Sequence, residues 1–560
     1  MARAMAIHDG VVPTHRSGSR WRGARSARRS PAGQRSGAVA VLVVVLAVLA
    51  PLASVLLRAV WVDGQFSLEA LSRILGQSRT WRLVALTVGQ AAASTIAAVV
   101  VGLPVAYVLY RREFRGRRLL RTVATIPFVL PSVVVAAAFA SLLGPTGPVD
   151  LRGTWWAIIA AHVCFNLAVV VRITGTAMAA VDADLEDSAR LAGLSPRRVK
   201  RTVLLPLVAP SLRAASVIVF LFCLTSFGVI VVLGGGWVTT IEVEMWTRAT
   251  RQFDLPGAAV LAGIQAATVF AVLALWGTGQ SYAGSASGRA RIAPRRAATS
   301  AERLSVLWVV AAVGIVSVLP LAALVERSMR VGDGFGFANW VDLGSAVSGT
   351  SIAVDPLSAV KASLLAAVPA ALVAVLLGVP AARAVVADRS GFAARVLLLP
   401  LAVSATTIGL GLLLVGRHLP LELRGSMWLV VAAQALVALP LVVRGVAPAL
   451  GGLPPEYREV ALLAGASHRS VWWRVELPLV RPAVAAAAGL ALIAALGEFG
   501  ATVFVARRST PTMPVAIERL LSRPGQSGMG QAMALSVLLG VLCGALLLLI
   551  DRLGDDGVAL

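Results

Sequence analysis

An all-α polytopic membrane protein, with about twelve transmembrane helices in two parallel six-helix repeats, is the fold predicted by three observations on this 560-residue chain. It is 58% hydrophobic and 14% charged, where soluble domains carry about 25% charged residues. Apolar runs long enough to cross the hydrocarbon of a bilayer, roughly 20 residues each, recur from Ala38 to Ile550. The second half of the chain also resembles the first at an offset of 272 residues.

The predicted spans are 38–60, 83–110, 122–143, 155–178, 208–233 and 257–277 in the first half. In the second they are 304–325, 359–386, 395–416, 427–449, 483–505 and 531–550. Helices are required because lipid offers backbone groups no outside partner, and the period-2 alternation of a membrane barrel is missing.

A formal charge of +24 raises nucleic acid as a partner, but the basic residues follow the topology rather than form one basic domain with interleaved aromatics. No nucleic acid is expected; the lipid bilayer is. Eight arginines (Arg3, Arg16, Arg20, Arg22, Arg25, Arg28, Arg29 and Arg35) precede the first span. The loop Arg111–Arg121 reads RREFRGRRLLR, and Arg289, Arg291, Arg295, Arg296 and Arg303 lie near mid-chain. The positive-inside rule puts all three regions, and hence both termini, in the cytoplasm of a multi-pass cell-membrane protein. Arg507, Arg508, Arg519 and Arg523, in a loop predicted outside, run mildly against the rule. The polar N-terminal tail is long for a cleaved signal, so the first span is expected to be retained. Cys164, Cys223 and Cys543 all fall in apolar spans, which predicts packing residues rather than disulfides or metal ligands.

The repeat is strongest where residues 181–212 align with 453–484, with 13 of 32 positions identical. At the same offset Thr225-Ser-Phe-Gly228 meets Gly497-Glu-Phe-Gly500, and Gly102-Leu-Pro104 resembles Gly378-Val-Pro380. An even number of spans per repeat gives the halves one orientation, related by a pseudo-two-fold axis along the membrane normal with a pathway between them. The predicted division is a basic tail 1–37, a first half 38–278, a Gly/Ser/Arg-rich cytoplasmic linker 279–303 and a second half 304–551.

The best-matched segments, 181–206 and 453–478, are predicted cytoplasmic loops built as two short helices around a tight turn. Asp182 caps the first helix, Gly193 supplies a left-handed terminator, Ser195-Pro196 starts the second helix and Pro206 ends it. Pro454-Pro455, Gly465, Ser467 and Pro478 repeat the plan. Small residues at 189, 192 and 193, and at 461, 464 and 465, would let a rigid knob sit deep in a partner's groove, with the acid at 187 or 459 meeting a basic group there.

These loops resemble the signature of the permeases of binding-protein-dependent ABC importers: E-A-A, three residues, Gly, nine residues, I-x-L-P. Here the pattern reads Asp187-Ser-Ala189, Gly193, Val203-x-Leu205-Pro206, and Glu459-Val-Ala461, Gly465, Val475-x-Leu477-Pro478. Asp for Glu, Ser or Val for Ala, and Val for Ile are the departures. The resemblance implies a transport subunit, not an enzyme, which docks two copies of a cytoplasmic ABC ATPase and receives its solute from an extracytoplasmic binding protein. No cofactor is expected in this chain. ATP-Mg belongs to the partner, because the only lysines, Lys200 and Lys361, each follow valine and cannot complete a G-x-x-x-x-G-K-[ST] phosphate loop. No catalytic residue or metal ligand is assigned.

Residues 161–167, 226–246, 262–267, 496–505 and 512–521 further resemble the fused thiamine-transport permeases, whose relatives are the fused ferric-iron permeases. Thiamine or its phosphates is the expected solute, with ferric iron as the alternative. An ion-coupled secondary transporter is the rival class, disfavoured by the parallel repeat and the scarcity of central charges. Ser226, Phe227, Gly228, Glu498, Phe499 and Gly500 are expected to line the pathway. Glu498, expected inside an apolar helix, is open to a packing or gating role or to cation binding. His162 and Asn166, on one helix face, are open to interhelical hydrogen bonding or solute contact. Gly234-Gly235-Gly236 reads as an exit turn or part of an outer gate.

Overall fold

The structure is a computed structural model that describes residues 31–554 apart from 63, 146, 278–294, 297–298, 345–354, 389–402, 421–422, 424, 508 and 523–525. The tail before residue 31, most of the linker, and residues 395–402 of the ninth predicted span lie outside the described residues.

The first half runs α1 (Pro31–Val60), α2 (Ser78–Arg111), α3 (Arg117–Val129), α4 (Ser132–Leu143), α5 (Trp155–Ala180), α6 (Ala183–Leu191), α7 (Pro196–Leu224), α8 (Gly228–Leu233), α9 (Ile241–Thr250) and α10 (Leu255–Gly277). The second runs α11 (Ser300–Ser328), α12 (Pro356–Ala387), α13 (Ala405–Gly416), α14 (Met427–Gly451), α15 (Pro455–Leu463), α16 (His468–Gly497), α17 (Thr502–Val505), α18 (Met513–Leu521) and α19 (Gln526–Gly554). Among the described residues nine helices are long and apolar enough to cross a membrane, ten if α3 and α4 count as one span bent by 105°. The remaining two predicted spans appear as the shorter apolar helices Val45–Val60 and Ala405–Gly416. The bend has a local cause: Pro131 drives Leu130 out of the helical region, to φ −70° and ψ 143°.

Small residues face inward and large apolar ones outward, as expected where lipid is as apolar as leucine and close packing must hold helices together. On α12, Ala359, Ala362, Ser363, Ala366, Ala367, Ala370 and Ala374 are buried, while Leu357, Leu364, Leu365, Val368, Leu372 and Leu376 are exposed. Its crossing with α14 is so close that a β-carbon at Gly378 would lie 2.7 Å from Val442 Cγ1. Gly102 on α2 has the same 2.7 Å relation to Val170 on α5, which explains why Gly-x-Pro recurs in both halves.

The helices α5 and α14 are central to their halves: 72% and 67% of their apolar windows are buried, against 22% for α11. The halves also exchange arms. Helix α1 packs on α12 and α13 of the second half, and the end of α11 packs on α4 of the first.

Two predicted spans, 208–233 and 483–505, are not continuous helices. Helix α7 ends at Leu224 and α8 resumes at Gly228; α16 ends at Gly497 and α17 resumes at Thr502. Glycines at these breaks admit neighbouring elements that side chains would repel. A β-carbon at Gly228 would come within 2.7 Å of Ser132 Oγ, and one at Gly497 within 2.8 Å of Pro131 Cγ.

Candidate docking loops and translocation path

Each candidate docking loop is fixed by the same backbone turn. Gly193 and Gly465 both have φ +85°, the left-handed region that only glycine enters without strain. The turn is a Schellman motif in both copies. Leu194 N–H donates to Ala189 O at 3.1 Å and Gly193 N–H to Arg190 O at 2.9 Å, matched by Ala466 to Ala461 and Gly465 to Leu462, each at 3.0 Å. Asp182 caps α6 by accepting from Asp184 N–H at 3.1 Å, and Ser467 caps the start of α16 by accepting from Ser470 N–H at 3.2 Å. Ser195 occupies the equivalent cap position, but its side chain makes no capping bond.

Neither α6 nor α15 buries a single residue. Leu191 and Leu463, equivalent at the repeat offset, are 90% and 88% exposed. Nothing lies within 4 Å of a β-carbon placed at Gly193 or Gly465. Asp187, Ala189 and Ala461 are half-buried and Glu459 is exposed. Leu205-Pro206 and Leu477-Pro478 follow one-turn π-helical segments, Lys200–Leu204 and Trp472–Glu476, with each leucine half-buried and each proline exposed. Contrary to the sequence expectation, these prolines do not end the helices: the wider turn before each one accommodates its ring and missing N–H, and α7 and α16 run on to Leu224 and Gly497.

The loops are tied to their halves by contacts whose polarity is exchanged. Lys200 Nζ lies 4.1 Å from the ring centre of Tyr107 on α2, whereas Arg383 on α12 stacks 3.9 Å from the ring of Trp472. Lys200 and Trp472 are repeat equivalents, so loop and core have traded cation for ring. In the first loop Glu186 pairs with Arg111 and, at 3.2 Å, with Arg190. In the second, Glu476 is 3.4 Å from Arg383 and 3.9 Å from Arg458, the residue at the position of Glu186.

At the two helix breaks the structure brings Phe227 and Phe499 face to face, their ring centres 5.1 Å apart and both buried. Equivalent residues from two halves touch only near the axis that relates them. Trp246 on α9 meets Phe227 edge-on at 5.8 Å. A β-carbon at Gly228 would stand 3.3 Å from Phe499 Cδ1, and one at Gly500 would stand 3.2 Å from Ala405 Cβ.

Ser226 and Glu498, also equivalent, are satisfied differently. Ser226 Oγ is 2.9 Å from His162 Nε2, and His162 Nδ1 is 3.0 Å from Ser94 Oγ, a chain that joins three elements of the first half. Asn166 donates to His162 O in its own helix at 2.9 Å and to Cys223 Sγ on α7 at 3.5 Å. Glu498 is not inside a helix. It stands at the break, where its carboxylate accepts from Ala501 N–H at 2.7 Å, Thr502 N–H at 2.8 Å and the Thr502 hydroxyl. The acid thus supplies the partners that interruption of the helix removes from α17, rather than reaching a facing helix. Gln434, where the second half has the counterpart of His162, is buried with both amide atoms unbonded.

Glu242 on α9 carries no sequence motif that singles it out. It is fully buried and accepts a hydrogen bond from the Thr406 hydroxyl on α13, so it bridges the halves. The available signal was a pair of acids, Glu242 and Glu244, after a long apolar run, with Glu242 one turn before Trp246.

Comparison with known proteins decides the family. Residues 98–280 and 343–553 each match the binding-protein-dependent transport system inner membrane component family. The chain belongs to that family. It is therefore a transport subunit rather than an enzyme, an ABC importer permease with two family units in one polypeptide. A thiamine transport system permease protein of Brucella abortus is similar at 27% identity over 496 residues, 84% of this chain and 87% of that protein. The corresponding protein of Haemophilus influenzae is 28% identical over 221 residues, 35% of this chain and 41% of its own length. A molybdenum transport system permease protein of Mycobacterium bovis is 34% identical over 205 residues, 34% of this permease and 77% of that chain.

Proposed function

We propose that this permease imports thiamine or its phosphates, delivered by an extracytoplasmic binding protein and driven by two ATPase copies seated on the loops around Gly193 and Gly465. The observation that carries the thiamine reading is the similarity to a thiamine permease across both halves, 84% of the chain. The molybdenum relative covers 34%. Both loops and both termini face the cytoplasm. ATP-Mg is bound and hydrolysed on the partner chains, whose closure pulls the knobs together and, through α7 and α16, moves the breaks that carry Phe227 and Phe499.

In this reading Ser226, Phe227, Gly228, Glu498, Phe499 and Gly500 line the crossing point of the path. The stacked rings seal it at rest, and motion of the halves alternates access from one side to the other. Vesicles that contain the permease, its ATPase and its binding protein are expected to accumulate radiolabelled thiamine when ATP is supplied, with ferric iron and molybdate left outside. Uptake of ferric iron or molybdate without thiamine would refute the assignment of solute.

A further inference from the structure

We propose that Glu242 is the counter-charge of a station for an organic cation between the two halves, walled by Phe227, Phe499 and Trp246; the inference rests on the path described under the proposed function. One carboxylate oxygen of Glu242 accepts from Thr406 across the halves, while Oε1 makes no close hydrogen bond and has only the Ser404 hydroxyl and the Gln265 amide beside the carboxyl group. Among the described residues no lysine or arginine pairs with it. Its neighbours are provided for: Glu244 pairs with Arg79 and Arg248, each at 3.1 Å, and Glu498 has both oxygens bonded at its helix break. A fully buried acid with no basic partner is costly, and an ionisable group within a membrane-spanning fold is by default a functional hypothesis.

Glu242 and Trp246 are four residues apart and share a face of α9. The ring of Trp246 meets Phe227, and Phe227 stacks on Phe499. Thr406 reaches the same crossing, because a β-carbon at Gly500 would lie 3.4 Å from its Cγ2. Acid and rings therefore lie on neighbouring elements of one crossing between the halves. Trp246 already takes a cation on its ring, the Arg251 guanidinium at 4.6 Å. A negative oxygen beside aromatic faces selects a ring-bearing organic cation, through charge and cation–π attraction together. A hard divalent ion would demand about six or more oxygen ligands, which rings cannot supply. Since Phe227 and Phe499 cover one another, the station opens as the halves separate.

The test is radiolabelled thiamine uptake by vesicles of the full complex, comparing wild type with Glu242→Gln, Glu242→Asp and Thr406→Val. Glutamine keeps the size and the bond to Thr406 while it removes the charge. The KM for thiamine should rise by roughly ten-fold or more in Glu242→Gln, with ATP hydrolysis stimulated by the binding protein retained. Glu242→Asp should recover part of the loss, and Thr406→Val, which keeps the charge, should change KM by less than about three-fold. An unchanged KM in Glu242→Gln assigns the acid to packing and overturns the inference while the thiamine reading stands. Equal loss in the Gln and Asp variants, with the complex intact, overturns it too. Wild-type vesicles that take up no thiamine contradict the thiamine reading itself and the inference with it.

Discussion

Glu498 turns its carboxylate back onto the chain that follows it, and that geometry sets what its replacement should do. Two backbone N–H groups and a hydroxyl depend on it in a buried place. Glu498→Gln retains one acceptor oxygen and should destabilise the break by about 1–3 kcal/mol. Basal ATP hydrolysis is expected to rise and transport per ATP to fall, while solute preference is unchanged; uptake and hydrolysis measured in the same vesicles check this. Loss of uptake with hydrolysis unaltered would instead make Glu498 a solute ligand. That an ionisable residue interrupts an apolar run was legible in the sequence. That it caps the next turn was not, since Gly497 and Glu498 could as well continue a helix as end one. Glu242 was harder still, because its significance comes from Thr406, which lies 164 positions away in the chain and meets it only when the halves assemble.

At the scale of elements, the two candidate docking loops were the most legible part of the molecule, because their shape is local. Caps at Asp182 and Ser467, a glycine at each turn, and helix-starting prolines at Pro196 and Pro455 specify helix, turn and helix without help from distant contacts. The breaks near Ser226 and Glu498 and the bend at Pro131 were not legible as such. Apolar runs continue through all three, and only close contacts such as Pro131 against Gly497 show why the chain must turn. Three tests follow for the loops. Leu191→Asp and Leu463→Asp change residues that touch little in the permease, so insertion should be normal while ATPase retained on co-purification falls roughly ten-fold. Normal retention would remove the apolar tips from the docking surface. Gly193→Leu and Gly465→Leu force a side chain into φ +85°, at about 1–2 kcal/mol each, and the double variant should lose the ATPase more fully than either alone. The exchanged cation and ring at Lys200–Tyr107 and Arg383–Trp472 predict that Lys200→Ala loosens only the first loop, seen as faster amide exchange over 183–199 with 455–471 unchanged.

Over the whole molecule, the two halves are one design used twice and then made unequal. Each lays its first helix on the other half, each keeps a central helix buried, and each breaks its long helix just before a phenylalanine that meets its counterpart. The repeat offset of 272 residues made this pairing foreseeable, since equivalent positions approach one another only at an axis. The arm exchange was not foreseeable, because an apolar run carries no record of which neighbour it covers. The central claim is that the crossing at Phe227 and Phe499 is closed at rest and opened by ATP-driven motion of the halves. Its most direct test places Phe227→Cys and Phe499→Cys in a background with Cys164, Cys223 and Cys543 replaced by serine or alanine, and applies a short thiol cross-linker to the reconstituted complex. The account predicts efficient cross-linking without nucleotide, loss of transport once linked, and a lower yield when the ATPases are trapped with ATP and vanadate. A yield that does not change with nucleotide, or full transport by the linked protein, would contradict it.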